Sequence, residues 1–501
     1  MKKHIIMKRG ERKEERGKMK IMLCFALLAS CVLLTACDDW LDVKPKTQIE
    51  SDDMFSSETG FKDVLNGVYV NLSSSDMYGR EMTYGLVDII GDTYYGVYGN
   101  TNYSRALSHE YTYTGVEEII NTIWKKSYTT IAMLNELLNQ LEQADKSMFG
   151  TDNYNVIKGE ALGLRAFLHF DMLRLFAQSP ASNANAPAIP YVTEYTFRIT
   201  PSSTVNETLE KVIADLQAAA DLLKQSDPIA TGREITTTDD SGYLLNRQYH
   251  MNYYAVKALM ARAYLYKGDM GNARQCAQEV IGSGKFSWTK VDNIATTQES
   301  DRDRTFTTEQ VFALQIDNLD TYVIPTVYSS ASSALVRLYI NSNWLDKAWP
   351  AATHSTDWRR VYFMTNTGTN SPYNYTSSKL WQEGMNEEYV KRMPLIRLPE
   401  MYLILAECDV SAAATWLNVI REHRGVTAMV EATEADALQD EITLEYFREY
   451  FNEGQMFYHY KRMNADMHFK GYSFNKSAYN TGDYVLPMPA EEIEFGNRTT
   501  K

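Results

Sequence analysis

Cysteine is scarce in this chain: five occur among 501 residues, and three of them lie within the first 37. The other two, Cys276 and Cys408, lie in predicted helices among alanine and other apolar residues. At such positions a thiol is more often a small buried hydrophobic group than half of a disulfide. A chain of this length can bury enough core to fold without cross-links. We therefore predict two buried thiols and no disulfide framework.

The short motifs that mark common enzyme sites are also missing. The chain has no H-E-x-x-H, G-x-S-x-G or C-x-x-C motif and no phosphate-binding loop. Its eight histidines are scattered, and His169 and His459 lie on helical patterns where packing is expected. The sequence therefore predicts no enzyme, no metal and no cofactor. A glycoside hydrolase stays open as an alternative, because the separation of its two carboxylates is a spatial quantity.

There is no excess of basic charge. The formal net charge is −14, and residues 1–37 alone contain nine Lys or Arg and three Glu, so the remainder carries −20. Such a chain is repelled by the phosphates of nucleic acids. It also offers no basic patch to anionic lipids. We therefore predict no nucleic acid partner.

Only one long apolar run occurs, at residues 21–34. It suits a signal peptide and is too short to span a bilayer comfortably. Thr35 and Ala36 follow it and precede Cys37, which matches the cleavage signal of bacterial lipoproteins. We predict a signal peptide at residues 1–37 with lipidation of Cys37. A cleaved secretory signal or a single anchor helix is the alternative.

A helical hairpin is predicted at residues 252–281. Met260 and Tyr264 follow helical spacing, Gly268 interrupts it, and Ala273 and Ala277 resume it. Small residues at the interface let two helices approach closely. The pattern resembles a tetratricopeptide repeat, although a generic amphipathic hairpin would look similar. One such pair cannot bury its apolar face alone, so further hairpins are expected.

Further helical patterns support a mainly α fold. They cover residues 61–72, 119–141, 157–176, 205–223 (capped by Ser202 or Ser203), 398–408, 412–423 and 444–463. Two long aromatic stretches, residues 73–116 and 282–393, do not read as helix, and the second contains a strand pattern at 311–316. Long loops in a folded domain are usually functional. We predict one domain over residues 38–501: a helical scaffold of tetratricopeptide-like hairpins, with inserted loops that form a ligand face and minor β content.

Four separated motifs identify a family resemblance. They are GEALGLRAFLHFDMLRLF at 159–176, IRLPEMYLILAE at 396–407, EYFREYFNEGQMFYHYKR at 445–462 and VLPMPAEEI at 485–493. In this order they resemble the motifs of SusD/RagB outer-membrane nutrient-uptake lipoproteins. Two departures occur in the third motif, where Gln455 replaces the usual Arg or His, and His459-Tyr460 replaces Asp-Leu. Charged residues within the motifs are predicted to form buried or half-buried ion pairs: Glu160, Arg165, Asp171, Arg174, Glu400, Glu407 and Glu453.

The resemblance implies a cell-surface lid protein. Members of this family sit on a SusC-like TonB-dependent transporter in the outer membrane, bind oligosaccharide or, in some branches, peptide, and deliver it to the pore. Asp38 and Asp39, directly after Cys37, fit export to the outer face of that membrane. We therefore expect a lipid-anchored, surface-exposed protein without catalytic activity. Peptide binding of the RagB type is the alternative, and a scaffold for a protein partner with no small ligand is a third interpretation.

Candidate ligand residues come from the two long loop stretches. A sugar needs flat aromatic rings beside short polar side chains and planar donors. The first stretch offers Arg80, Tyr95, Tyr98 and Asn102, and the second offers Trp288, Trp344 and Trp358. We predict that Tyr95, Tyr98 and Asn102 join one or more of these tryptophans in the ligand surface. The competing interpretation is that the rings lie buried under the loops or face the transporter.

Overall fold

The protein is described by a computed structural model that covers residues 53–327, 337–366, 374–431, 434–465 and 484–498. The predicted signal peptide, Cys37 and the acidic pair after it lie outside these residues. The chain divides into two units, residues 1–60 and 61–501. The single domain over residues 38–501 stays a prediction.

Nineteen α-helices occur in the described part of the chain, numbered α1 to α19 in chain order. They are Glu58–Leu72, Leu86–Ile90, Thr101–Leu107, Thr114–Gln143, Asn153–Phe176, Pro180–Asn183, Val205–Ser226, Pro228–Thr231, Tyr253–Lys267, Met270–Gly282, Leu319–Val327, Ser342–Ala348, Ala351–His354, Trp358–Phe363, Leu398–Cys408, Ala413–Glu422, Ala435–Tyr450, Met456–Met463 and Ala490–Phe495.

The described strands, β1 to β8, form three small antiparallel sheets. They are Gly96–Tyr98, Pro187–Pro190, Ser202–Thr204, Gln310–Gln315, Arg337–Asn341, Met364–Asn366, Asn374–Ser377 and Arg392–Arg397. One sheet has the order β1-β5-β7-β6, and the other two are the pairs β2-β3 and β4-β8. The mainly α prediction with minor β content is confirmed.

The long helices pack in sequence as a continuous stack. Helix α4 packs on α5, α5 on α7, α7 on α9, α9 on α10, and α10 on α15. The predicted hairpin is α9 and α10, joined by Gly268 in the left-handed conformation and capped by Asn252 and Asp269, whose side chains accept from Ala255 N and Asn272 N. This arrangement is consistent with stacked tetratricopeptide-like hairpins.

Helix α7 begins at a different cap from the predicted one. Thr204, rather than Ser202 or Ser203, accepts a hydrogen bond from Glu207 N at 3.2 Å, and the Glu207 carboxylate accepts from Thr204 N at 2.8 Å. This capping box satisfies two N–H groups at the helix start. The two serines are instead part of strand β3.

The loop stretches contain more helix than predicted. Residues 73–116 include α2 and α3, and residues 282–393 include α11 to α14. Sequence periodicity misses such elements because helices of four to nine residues have too few turns to repeat an apolar pattern. The predicted helix at residues 444–463 is two helices, α17 and α18, separated by a turn.

The ion pairs predicted within the motifs are present, and they are buried or half-buried as predicted. Glu160 pairs with Arg247 at 2.6 Å, Arg165 with Asp215 at 2.8 Å, Asp171 with Arg174, Glu400 with Arg262 at 2.5 Å, Glu407 with Arg462 at 2.5 Å, and Glu453 with Arg397 at 2.8 Å. Each links distant parts of the chain except the Asp171–Arg174 pair, which spans one helical turn. These pairs connect elements of the helical scaffold.

Both described cysteines are free thiols, Cys276 buried and Cys408 half-buried. Among the described residues no single helix has the length and apolar composition to cross a membrane. One pair of helices, Leu398–Cys408 with Val410–Glu422, meets both criteria together but is bent by 119°.

Candidate functional site

Tyr98 stands at the end of a strand and points into solvent. Strand β1 pairs with β5 so that Gly96 lies opposite Tyr339 and Tyr98 opposite Arg337. Asn100 then begins helix α3, because its side chain accepts from Tyr103 N at 3.0 Å. The tyrosine at this strand-to-helix junction is 71% exposed. Its ring is available to a ligand.

Tyr95 is half-buried at the other end of β1. Its N–H donates to Tyr339 O at 2.9 Å, and its ring centroid lies 6.0 Å from that of Tyr339. Trp344 meets the Tyr95 ring edge-on at 5.8 Å and is itself 0% exposed. The assignment of Trp344 to the ligand surface is therefore corrected: its ring is buried in the core, where its contact with the Tyr95 ring helps to fix Tyr95.

A polar pocket of about 720 Å³ lies next to Tyr98 in the chain. Its lining is Gly99, Asn100, Thr101, Ser104, Arg105, Ser108 and Glu110. Hydroxyl, amide, guanidinium and carboxylate groups therefore share one concave surface, and its first lining residue, Gly99, directly follows the exposed Tyr98 in the chain. This combination can bind the hydroxyl edge and the C–H face of a sugar.

None of the pocket's lining residues was among the predicted ligand residues, and Arg105 and Glu110 are the two charged ones. Arg105 Nη1 donates to both Glu110 carboxylate oxygens, at 3.0 and 2.9 Å, and its guanidinium lies 5.5 Å from the Tyr113 ring. Both side chains of the pair are close to half exposed, so the pair contributes little stability and can exchange partners with a ligand. Helical spacing after the Asn100 cap was the available signal, since Thr101 and Arg105 are four residues apart.

Arg80 is held by a neighbouring carboxylate. Its Nε donates to Glu81 at 2.7 Å, and the Tyr103 hydroxyl donates to the same oxygen at 2.8 Å. Burial would lower the pKa of Arg80, but Glu81 outweighs it and raises the pKa above the ordinary value. Burial and Glu81 likewise raise the pKa of Tyr103. Arg80 keeps 30% of its side chain exposed and stays charged.

Asn102 is half-buried and faces helix α4. A Cβ built on Gly115, at the start of that helix, would meet the Asn102 Oδ1 at 2.2 Å. The pocket is lined by its neighbours Asn100 and Thr101 instead. Asn102 thus lies beside the pocket rather than in its lining.

Trp288 and Trp358 form a separate aromatic group. The Trp288 ring stacks on His423 with centroids 4.6 Å apart, and Arg424 lies 5.1 Å from the same ring. Trp358 N donates to Arg424 O at 2.9 Å, and its ring packs on a small apolar cluster that includes Phe306. The structure brings these two half-buried tryptophans to the segment at 423–425, whereas Tyr98 ends strand β1 and Tyr95 directly precedes it.

A second, more apolar cavity of about 990 Å³ is lined in part by residues 109–113. Glu110 lines both cavities, while Tyr111, Tyr113, Phe176 and Met488 line only the larger one. The turn at residues 108–113 therefore separates a polar pocket from an aromatic one.

The loop between strands β2 and β3 carries an exposed apolar strip. Tyr195, Phe197 and Ile199 are 60%, 106% and 59% exposed, at alternate positions along residues 191–201. Large hydrophobic side chains in a contiguous exposed group mark surfaces that a partner covers. No sequence motif predicted this strip.

One group of potential metal ligands occurs in the described part of the chain: His354, Glu441 and Glu445. Both carboxylates are already paired with arginine: Arg448 Nη1 lies 2.9 Å from Glu441 and 2.8 Å from Glu445. Arg359 adds a second guanidinium to Glu445 at 2.6 Å. A cation would have to displace these positive charges, so we assign no metal to this cluster.

Two family models match the chain in succession. The first, described as starch-binding and associating with the outer membrane, matches residues 39–231. The second, the SusD family model, matches residues 231–493, which is more than half of the chain. The chain belongs to the SusD family.

Relatives of this SusD-family protein are known in sequence and in structure. SusD-like protein P2 of Formosa agariphila is 24% identical over 279 residues, a match that spans 53% of this chain and 46% of that relative. A SusD superfamily protein of Bacteroides thetaiotaomicron (21% identity, TM-score 0.69) covers 88% of this chain and 98% of its own. A SusD-like carbohydrate binding protein of Bacteroides vulgatus (18%, TM-score 0.69) covers 88% and 96%. At these identities the solved structures establish the fold.

Proposed function

We propose that this SusD-family protein is a non-catalytic, lipid-anchored protein of the outer cell surface that binds an oligosaccharide and delivers it to a SusC-like TonB-dependent transporter. The observation that carries the ligand assignment is the exposed Tyr98 ring, which directly precedes in the chain the polar pocket at residues 99–110. The starch-binding family description and a solved relative named as carbohydrate binding support the same ligand class. None of the relatives described above is named as a peptide-binding protein.

The pocket chemistry fits sugar recognition in two respects. Tyr98 offers a flat ring for the C–H face, whereas Tyr95, just before the strand, packs against the buried Trp344. Arg105 and Glu110 offer planar donor and acceptor groups whose present partners are each other. Exchange of this exposed pair for ligand hydroxyls costs little free energy.

Calorimetric titration of the full-length protein against neutral and acidic oligosaccharides tests the ligand site. The detergent should carry no sugar headgroup, since a glycoside would compete. Tyr98→Ala is expected to weaken binding at least tenfold, which corresponds to about 1.4 kcal/mol. Tyr195→Ala is the matched control, because it removes another exposed tyrosine, 60% exposed against 71% for Tyr98, that lies outside the polar pocket. Equal affinity of both variants and the parent would reject the site.

The transporter contact is tested at the exposed strip. We propose that Tyr195, Phe197 and Ile199 are covered by the transporter, since their exposure is unusual for a protein that works alone. Phe197→Asp is expected to abolish co-purification of a large β-barrel from membranes while glycan affinity stays unchanged. Tyr98→Ala is the reciprocal control, and it is expected to co-purify with the β-barrel as the parent does. Full retention of the barrel by Phe197→Asp would exclude this surface.

A further inference from the structure

A cavity of about 700 Å³ lies apart from the site described above and shares no lining residue with either cavity there. Three parts of the chain form it: the end of helix α1, the turn at residues 242–250 and the segment at 314–322. Its walls combine aromatic rings and amides. The function proposed for the Tyr98 site does not account for it.

Four tyrosines give this cavity its aromatic walls: Tyr69, Tyr243, Tyr249 and Tyr322. All four are half-buried, so each ring is anchored by the protein and still accessible in part. The Arg392 guanidinium lies 5.3 Å from the Tyr249 ring, which helps to hold it. Partly exposed, supported rings are what stacking against a sugar requires.

The rear wall is rigid. The Tyr69 hydroxyl donates to the fully buried Glu160 at 2.6 Å and accepts from Met251 N at 2.8 Å. His250 meets the Tyr69 ring edge-on at 5.2 Å, and its Nδ1 lies 3.2 Å from the same carboxylate. Since Glu160 is also bound to Arg247, this wall is fixed before any ligand arrives.

Amide side chains supply the polar contacts. Asn66, Asn246, Gln315 and Asn318 line the cavity and are exposed. Asn318 Nδ2 donates to the Tyr322 hydroxyl at 3.1 Å, so ring and amide are already aligned with each other. An amide offers a donor and an acceptor side by side, which matches adjacent sugar hydroxyls.

The charge of the lining narrows the ligand class. The described lining of this cavity contains no Lys or Arg, and it contains one carboxylate, that of Asp317. Two cations contact tyrosine rings of the cavity from outside its lining, Arg392 at Tyr249 and Lys62 at Tyr243, and Lys62 is paired with Asp240 at 2.5 Å. Within the lining an anionic sugar would meet the like charge of Asp317, whereas the polar pocket at residues 99–110 contains Arg105. We propose that this cavity, the Tyr249 pocket, is a second saccharide site that takes a neutral oligosaccharide. The inference rests on the proposed function for its ligand class.

Titration of four forms of the full-length protein tests the proposal: the parent, Tyr98→Ala, Tyr249→Ala and Asn318→Ala. The probes are maltoheptaose, laminarihexaose, xylohexaose and mannohexaose, with hexagalacturonate as the acidic comparison. Tyr98→Ala is expected to retain one site per chain for at least one neutral probe. Tyr249→Ala and Asn318→Ala are each expected to weaken that site at least tenfold. Unchanged thermal unfolding of Asn318→Ala, an exposed position, separates lost binding from lost folding.

The outcomes distinguish the two sites. A single site that Tyr98→Ala removes overturns the second site and leaves the proposed function intact. Binding that Tyr98→Ala leaves unchanged but Tyr249→Ala and Asn318→Ala both weaken supports the Tyr249 pocket and rejects the Tyr98 site. Tighter binding of hexagalacturonate than of every neutral probe at this pocket overturns the neutral class. No binding of any probe by the parent overturns both assignments.

Discussion

Glu81 accepts hydrogen bonds from Arg80 Nε at 2.7 Å, from the Tyr103 hydroxyl at 2.8 Å and from Leu86 N at 3.1 Å. Glu81, Tyr103 and Leu86 are all buried, so the Tyr103 hydroxyl and Leu86 N have no water as a ready substitute. One carboxylate thus holds three groups in place: Arg80, Tyr103 on helix α3, and Leu86 at the start of helix α2. At the scale of single residues, the candidate site depends on a side chain that does not line it.

Glu81→Gln is expected to lower the free energy of unfolding by about 1–3 kcal/mol. In either amide orientation the new NH₂ group faces at least one of the three donors, so a hydrogen bond is lost. Urea denaturation followed by tryptophan fluorescence measures the change. Glu110→Gln, at the exposed pair with Arg105, is the control and should change stability by no more than about 1 kcal/mol. Equal effects would show that Glu81 has no special role.

At the scale of elements, the break between helices α17 and α18 is the feature that the sequence did not reveal. The buried Asp88 carboxylate accepts from Asn452 N and from Gly454 N, both at 3.1 Å. Gly454 has a φ of 71°, and a Cβ built there would lie 2.5 Å from Thr83 O. The turn exists because a distant segment, at residues 83–88, packs against it.

Gly454→Ala is expected to destabilise the protein by more than 2 kcal/mol, since the methyl group meets both an unfavourable φ and a backbone oxygen. Gly268→Ala is the matched control: its φ is 87°, but nothing lies within 4 Å of its Cβ position. There only the conformational cost of about 1 kcal/mol remains. Thermal unfolding of both variants measures the difference, and equal losses would contradict the steric argument.

Helix α7 and the turn between helices α17 and α18 show what sequence patterns can and cannot predict. Helix α7 begins at the residue that periodicity indicated, because its apolar stripe is local in sequence, although its cap is Thr204 and not a predicted serine. The α17–α18 turn and the burial of Trp344 both depend on contacts with distant segments. Composition likewise identified the stretch that holds Tyr98 but not which neighbours line the pocket, because solvent exposure is decided by packing.

At the scale of the whole molecule, buried charge pairs govern the response to acid. Burial alone would raise the pKa of Glu160 and Glu445, but neighbouring cations outweigh it and lower each pKa to about 2. These cations are Arg247 and His250 for Glu160, and Arg359 and Arg448 for Glu445. The folded protein therefore binds fewer protons than the unfolded chain between pH 4.5 and 2. Stability present above pH 4.5 is lost as the pH falls through this window.

The pH profile is accordingly expected to rise steeply from pH 2 to 4.5 and then to flatten. Burial lowers the pKa of His169 and His354 to about 3, so these residues add stability as the pH rises to 6.5. Burial raises the pKa of Asp88 to about 7 and of Asp303 to about 6, so these remove stability over a similar range. Urea denaturation at half-unit pH steps measures the profile. A continued steep rise between pH 5 and 6.5 would contradict the cancellation.

Residues 484–498 return to elements formed much earlier in the chain. Leu486 N donates to Leu175 O at 3.0 Å, and Arg498 Nη1 donates to Thr200 O at 2.6 Å. During synthesis, the carboxyl end of helix α5 and the loop at 191–201 must therefore wait for about three hundred further residues before these contacts can form. A nascent chain stalled before residue 484 would lack both contacts, and the segments around Leu175 and Thr200 would be more accessible to proteases.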